Sequence, residues 1–87
     1  MKVVVRPLAA KYVSRLNAAD RERIKSALAN LEKEPPEGDI FPISGQKRTF
    51  RLRVGSFRAI FRFEDNMILV THIESRGQVY KKKNKKG

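Results

Sequence analysis

Six basic side chains crowd the stretch KRTFRLRVGSFRAIFR, residues 47–62. Four of them, Arg51, Arg53, Arg58 and Arg62, alternate with apolar residues. A guanidinium fork matches the oxygens of a phosphate and stays charged at any cellular pH, so it cannot serve as a proton carrier. Such a set is suited to gripping a phosphate and stabilising charge on its oxygens. Lys47 and Arg48 lead into the set and extend it. A second basic run, KKKNKK, follows Tyr80 and includes Lys81, Lys82 and Lys83. It is too charged to pack, so residues 81–87 read as a mobile tail that attracts phosphate without reading sequence. Proton-transfer groups are scarce. His72 is the single histidine and there is no cysteine, which excludes disulfides, thiol nucleophiles and cysteine-based zinc sites. With no acidic cluster to compensate, neither a metal nor another cofactor is expected.

The elements that must position the arginines follow from periodicity. Phe50, Leu52 and Val54 alternate with Arg51 and Arg53, and Phe57, Ala59, Phe61 and Phe63 alternate with Arg58, Ile60 and Arg62. Period-two alternation puts the first set on a buried sheet face and the second on its reverse. Gly55-Ser56 suits a two-residue hairpin turn. Counting outward pairs Val54 with Phe57, Arg53 with Arg58, Leu52 with Ala59, Arg51 with Ile60 and Phe50 with Phe61. Two arginines then stand directly opposed, which destabilises a strand pair unless something offsets it. The clustering of one sign favours an anion site over a face that is merely solvated.

The rest of the chain supplies the support. Lys2 to Arg6 reads as a short strand, and its three valines imply cover on one face or both. Leu8, Tyr12, Val13 and Leu16 recur at helical spacing, predicting a helix from Pro7 to about Leu16. Asn17, with Asp20 three residues on, caps a second helix whose stripe is Ile24, Ala27, Leu28 and Leu31, and Pro35-Pro36 ends it. Residues 35–48 lack periodicity and read as a loop pinned by Ile40, Phe41 and Ile43. Asp65-Asn66 is a second tight turn, and Met67 to about Glu74 is the last strand. Outward counting pairs Phe61 with Val70 and Phe63 with Ile68. Leu69, Thr71 and Ile73 then join the arginine face and His72 falls on the buried face, an assignment that a β-bulge would invert. The expected fold is α+β: an αα-hairpin on one face of a small antiparallel sheet.

Eighty-seven residues make one small domain. Net charge is +11, and it is uneven: eight basic and six acidic side chains lie in residues 1–45, twelve and three in residues 46–87. That asymmetry points to nucleic acid first and an acidic protein second. No run is apolar enough to span a membrane and the start lacks a signal-peptide core, so a cytoplasmic protein with no membrane partner is expected.

The order of elements, with RLRVGSFRAIF at 51–61 and RGQVY at 76–80, resembles the RelE/ParE toxin superfamily over essentially the whole chain. The resemblance implies one toxin domain over residues 1–80 with the RelE-like microbial RNase fold. It implies a toxin of a type II toxin–antitoxin pair. RelE members enter the ribosomal A site and cleave mRNA there, whereas ParE members poison DNA gyrase and usually lack the RGQVY-like ending. By position, Arg58, Arg76 and Tyr80 match catalytic residues, and Arg51 and Arg53 match basic positions that contact the mRNA. RelE proper has lysines at those two positions and a wider spacing between its closing arginine and tyrosine. The reaction implied is attack of a ribose 2′-OH on the adjacent phosphate, leaving a 2′,3′-cyclic phosphate. Tyr80 acts either as a base or as a stacking platform. The implied partners are a cognate antitoxin, and the ribosome with its mRNA and contacts to 16S ribosomal RNA. A gyrase inhibitor or a non-catalytic RNA-binding module would fit the same basic face. The oligomeric state of the toxin alone is left open.

Overall fold

The stretch that alternates most regularly forms the middle of the sheet. In a computed structural model that describes residues 1–75, five strands and two helices follow the order β1 (Lys2–Val5), α1 (Pro7–Ser14), α2 (Ala18–Asn30), β2 (Asp39–Pro42), β3 (Thr49–Val54), β4 (Phe57–Glu64) and β5 (Met67–Ser75). Spatial order is β1-β5-β4-β3-β2. Arg76, Tyr80, Lys81, Lys82 and Lys83 lie outside the described residues. Among the described residues, no helix is long and apolar enough to cross a membrane.

The central hairpin adopts the register expected from its turn, from Val54↔Phe57 through Arg53↔Arg58 to Phe50↔Phe61. Gly55 has φ +60°, the left-handed first position that favours glycine in a tight hairpin turn. Asp65 and Asn66 both take positive φ, 47° and 65°, as the other common two-residue hairpin turn requires.

Helices cover one face only. The core joins Ile24 and Leu28 of α2, with Leu31 just past its end, to Leu52, Val54, Phe57, Ala59, Phe61, Ile68, Val70 and Ile73 of the sheet. Phe61 is fully buried, and Phe50 and Phe63 pack against it with ring centroids 5.8 Å away in each case. Side-chain oxygen Oδ1 of Asn17 accepts from the Asp20 amide at 2.8 Å, the cap expected at the start of α2.

Five features depart from the sequence reading. The sheet is mixed, because β1 lies parallel to β5 at one edge (Val3↔Ile68). The segment read as a loop contains the opposite edge strand, β2, antiparallel to β3; four residues that follow Gly38 and end at Pro42 are too few to show a period. α1 turns Ala9 and Val13 to the core, leaving Leu8 78% exposed outside the stripe. α2 stops at Asn30, well before the prolines, where the amides of Leu31, Glu32 and Lys33 bond three residues back and tighten the chain into turns. Finally, the β4–β5 register shifts between Ile60 and Phe61. Thr71 becomes the extra residue of a bulge, so Ile73 turns inward opposite Ala59, and His72 turns outward opposite Ile60.

Gly38 is demanded by its surroundings. Its φ is +147°, and an added Cβ would lie 2.7 Å from Leu52 Cδ1. The free edge of β1 is closed as well, since the Val3 amide donates to Glu32 Oε2 at 2.8 Å.

Candidate nucleic-acid interface

The face away from the helices carries the arginines. Its register lays out a row across four strands: Asp39 on β2, Arg53 on β3, Arg58 on β4 and Glu74 on β5. Charge along this row runs minus, plus, plus, minus. Arg53 Nε donates to Asp39 Oδ2 at 3.0 Å. Arg58 Nη2 lies 2.8 Å from Glu74 Oε2. The opposed arginines are therefore tolerated because each has a carboxylate on its outer flank. These pairs are about half-exposed, which in water is worth about 0.2–1 kcal/mol each. A carboxylate held that weakly is readily exchanged for another oxyanion.

The next row is Phe41, Arg51, Ile60 and His72. Phe41 lies under two guanidinium groups, with Arg53 Cζ 5.1 Å and Arg51 Cζ 5.7 Å from the ring centroid. Both distances fall within cation–π reach. Among the described residues, Arg51 has no carboxylate partner, and its buried Nε and that of Arg58 have no hydrogen-bond partner. Arg51, Arg53 and Arg58 line an open groove of about 540 Å³ with Gly55, Ser56 and Phe57.

The remaining expected cations are placed elsewhere. Arg62 shares the face but lies nearer β1, its Nε 2.8 Å from Glu64 Oε2 yet out of line for a hydrogen bond. Its register partner on β5, Leu69, is buried although it belongs to the outer face. Lys47 and Arg48 sit in the turn before β3, exposed and away from the groove lining. Arg48 has φ 57°, and its carbonyl accepts from the Phe63 amide at 3.0 Å. Arg58, Arg51 and Arg53 are thus brought together, and Lys47, Arg48 and Arg62 are not.

Sequence reasoning missed Asp39, Glu74 and Phe41. Phe41 and Asp39 were hidden in a strand too short to show a period. Glu74 and His72 were turned by the bulge, and a trace of it exists: inward apolar positions run Ile68, Val70 and then Ile73, an interval of three where two is expected.

A family model described as the ParE toxin of type II toxin-antitoxin system, parDE, matches residues 3–80. No curated protein matches the sequence. Among solved structures, the chain is similar to the RelB-RelE antitoxin-toxin complex from Methanococcus jannaschii, with TM-score 0.72 and 21% identity over 91% of this chain and 96% of that one. The archaeal RelE-RelB complex from Pyrococcus horikoshii OT3 gives TM-score 0.72 and 25% identity, covering 88% and 96%. Isolated E. coli RelE toxin gives 0.72 and 18%, covering 98% and 96%.

Proposed function

This chain belongs to the RelE/ParE superfamily of toxins from type II toxin–antitoxin systems, and from that premise we propose that it is a ribosome-dependent endoribonuclease cleaving mRNA in the A site. The observation that carries the reading is the groove in which Arg51, Arg53 and Arg58 converge on one face of a rigid sheet. The scissile phosphate displaces Glu74 from Arg58 and a flanking phosphate displaces Asp39 from Arg53. Arg58 then stabilises the charge that grows on the non-bridging oxygens. The 2′-oxygen forms a bond to phosphorus as its proton leaves, the P–O5′ bond breaks with its electron pair on O5′, and O5′ takes a proton. The products are a 2′,3′-cyclic phosphate and a 5′-OH. Arg76 contacts the phosphate, and Tyr80 stacks on a base or accepts the 2′ proton.

The groove is open, and among the described residues nothing closes over a ribose. The ribosome supplies the positioning, which can contribute many powers of ten in rate. The partner that restrains the toxin is a cognate antitoxin whose acidic or amphipathic segment covers the arginine face. The solved relatives in complex with RelB support a cognate antitoxin as the partner.

The test uses ribosomes carrying a defined A-site codon and end-labelled mRNA. Cleavage is expected on the ribosome and not on naked RNA, with a cyclic phosphate at the new end. Arg58→Ala should lower the rate about 10²–10³-fold, the usual loss of one transition-state donor. The ParE description of the matching family model favours a second reading, inhibition of DNA gyrase. Uncleaved mRNA at every codon together with blocked supercoiling would establish that one instead.

A further inference from the structure

A second cationic groove opens on the same outer face, of about 590 Å³, lined by Arg6, Pro7, Leu8, Arg62, Thr71 and His72. The bulge builds it. The Thr71 hydroxyl donates to the Ile60 carbonyl at 3.4 Å and lies 3.1 Å from His72 Nδ1. A hydroxyl has one proton to give. With that proton on Ile60, its oxygen accepts from Nδ1–H, and Nε2 donates to a phosphate when the ring carries its second proton. Arg6 is anchored by its own amide on the Val70 carbonyl at 2.9 Å, and its exposed side chain has no carboxylate partner among the described residues.

We propose that this groove is a second phosphate subsite, holding a neighbouring phosphate of the single-stranded RNA whose scissile phosphate lies over Arg58. It rests on the nuclease reading above and adds a binding site to it. Arg58 and Arg62 share a strand and a face four residues apart, about 13 Å along β4, so one strand of RNA can cross both grooves. Among the described residues, the ionisable side chains lining the second groove are Arg6, Arg62 and His72. Of the groups around them, Glu64 leans on Arg62, Glu74 is held by Arg58, and Tyr12 meets His72 from α1 across a hollow of about 140 Å³. Leu8, exposed at the rim, offers an apolar surface beside the cations. A positively charged groove that tracks the backbone is the electrostatic part of what grips single-stranded nucleic acid.

The number of phosphates in the ligand isolates the subsite. A dinucleoside monophosphate carries one phosphate and fills one groove, whereas an octaribonucleotide can fill both. Binding of each is measured at low salt to the full chain and to Arg58→Ala, Arg6→Gln and His72→Gln, with thermal melting to verify folding. Arg58→Ala should weaken both ligands. Arg6→Gln and His72→Gln should leave the dinucleoside monophosphate unchanged and weaken the octamer about threefold to tenfold. Arg6→Gln should also flatten the octamer's log–log salt dependence by about 0.7, one lost phosphate contact on a single strand. Octamer binding that responds to Arg58→Ala but not to Arg6→Gln or His72→Gln overturns the subsite and leaves the nuclease reading standing. The same result, with antitoxin binding weakened by Arg6→Gln, assigns the groove to an acidic protein segment instead. Indifference of both ligands to Arg58→Ala brings down the nuclease reading and the subsite together.

Discussion

The two faces of the central sheet are made by the same strands and solve opposite problems. On the helix-covered face every fully buried side chain described is apolar, and Phe50, Phe61 and Phe63 pack in one cluster with Ile24, Leu28 and Leu31. On the other face, like charges are set directly opposite and balanced by carboxylates on the two flanking strands. The difference teaches where register comes from. A slip of one residue would put phenylalanines in water and arginines in the core, so the apolar face decides which arginines meet. The charged face inherits its geometry and spends little energy on holding it. It can therefore exchange ligands without loosening the fold.

The strongest way to break this contrast is to attack the apolar face. Phe61→Ala should cost about 3–5 kcal/mol, the usual loss for a fully buried phenylalanine, seen as a lower urea midpoint. RNA affinity of the molecules that remain folded should hardly change. Gly38→Ala comes next. It combines a left-handed φ with a contact of 2.7 Å to Leu52, so about 1–3 kcal/mol of destabilisation is expected in the same assay. On the charged face the expectation reverses. Asp39→Asn and Glu74→Gln should shift stability by no more than about 1 kcal/mol, yet each should tighten single-stranded RNA binding about two- to fivefold by removing the carboxylate that RNA must displace. Weaker binding in both variants would show that the carboxylates orient the arginines rather than compete for them.

The smallest effect lies where the faces meet, at Tyr12. Burial pushes its phenol above the usual 10.0, with Glu74 and Asp20 adding to the rise and a hydrogen bond with Ser75 opposing it. A raised value means that the folded state holds the proton more tightly than the unfolded chain. That stabilisation is intact below pH 10 and is lost as pH rises through the folded value. Urea midpoints should therefore fall more steeply at alkaline pH in the wild type than in Tyr12→Phe.

Much of this was legible in the chain. Period-two alternation around Gly55-Ser56 and the turn at Asp65-Asn66 specified three strands, two hairpin turns and the opposed pair Arg53 and Arg58, because turn chemistry and one buried face leave a single register. The Asn17 cap and the stripe from Ile24 to Leu31 specified α2 for the same local reasons. The bulge could not be reached by counting. It depends on seating Ile73 in a core whose shape comes from distant residues, and it moves His72 and Glu74 to the charged face as a consequence. Nor could the parallel seat of β1 or the pairing of β2 be read locally, since each is an edge strand of four residues whose partner is chosen by tertiary contacts. The sequence by itself determined that arginines would gather on one face, because local periodicity is enough for that. Only the tertiary structure decided which carboxylates balance them and where a second groove opens, because those neighbours come from strands that are far apart in the chain.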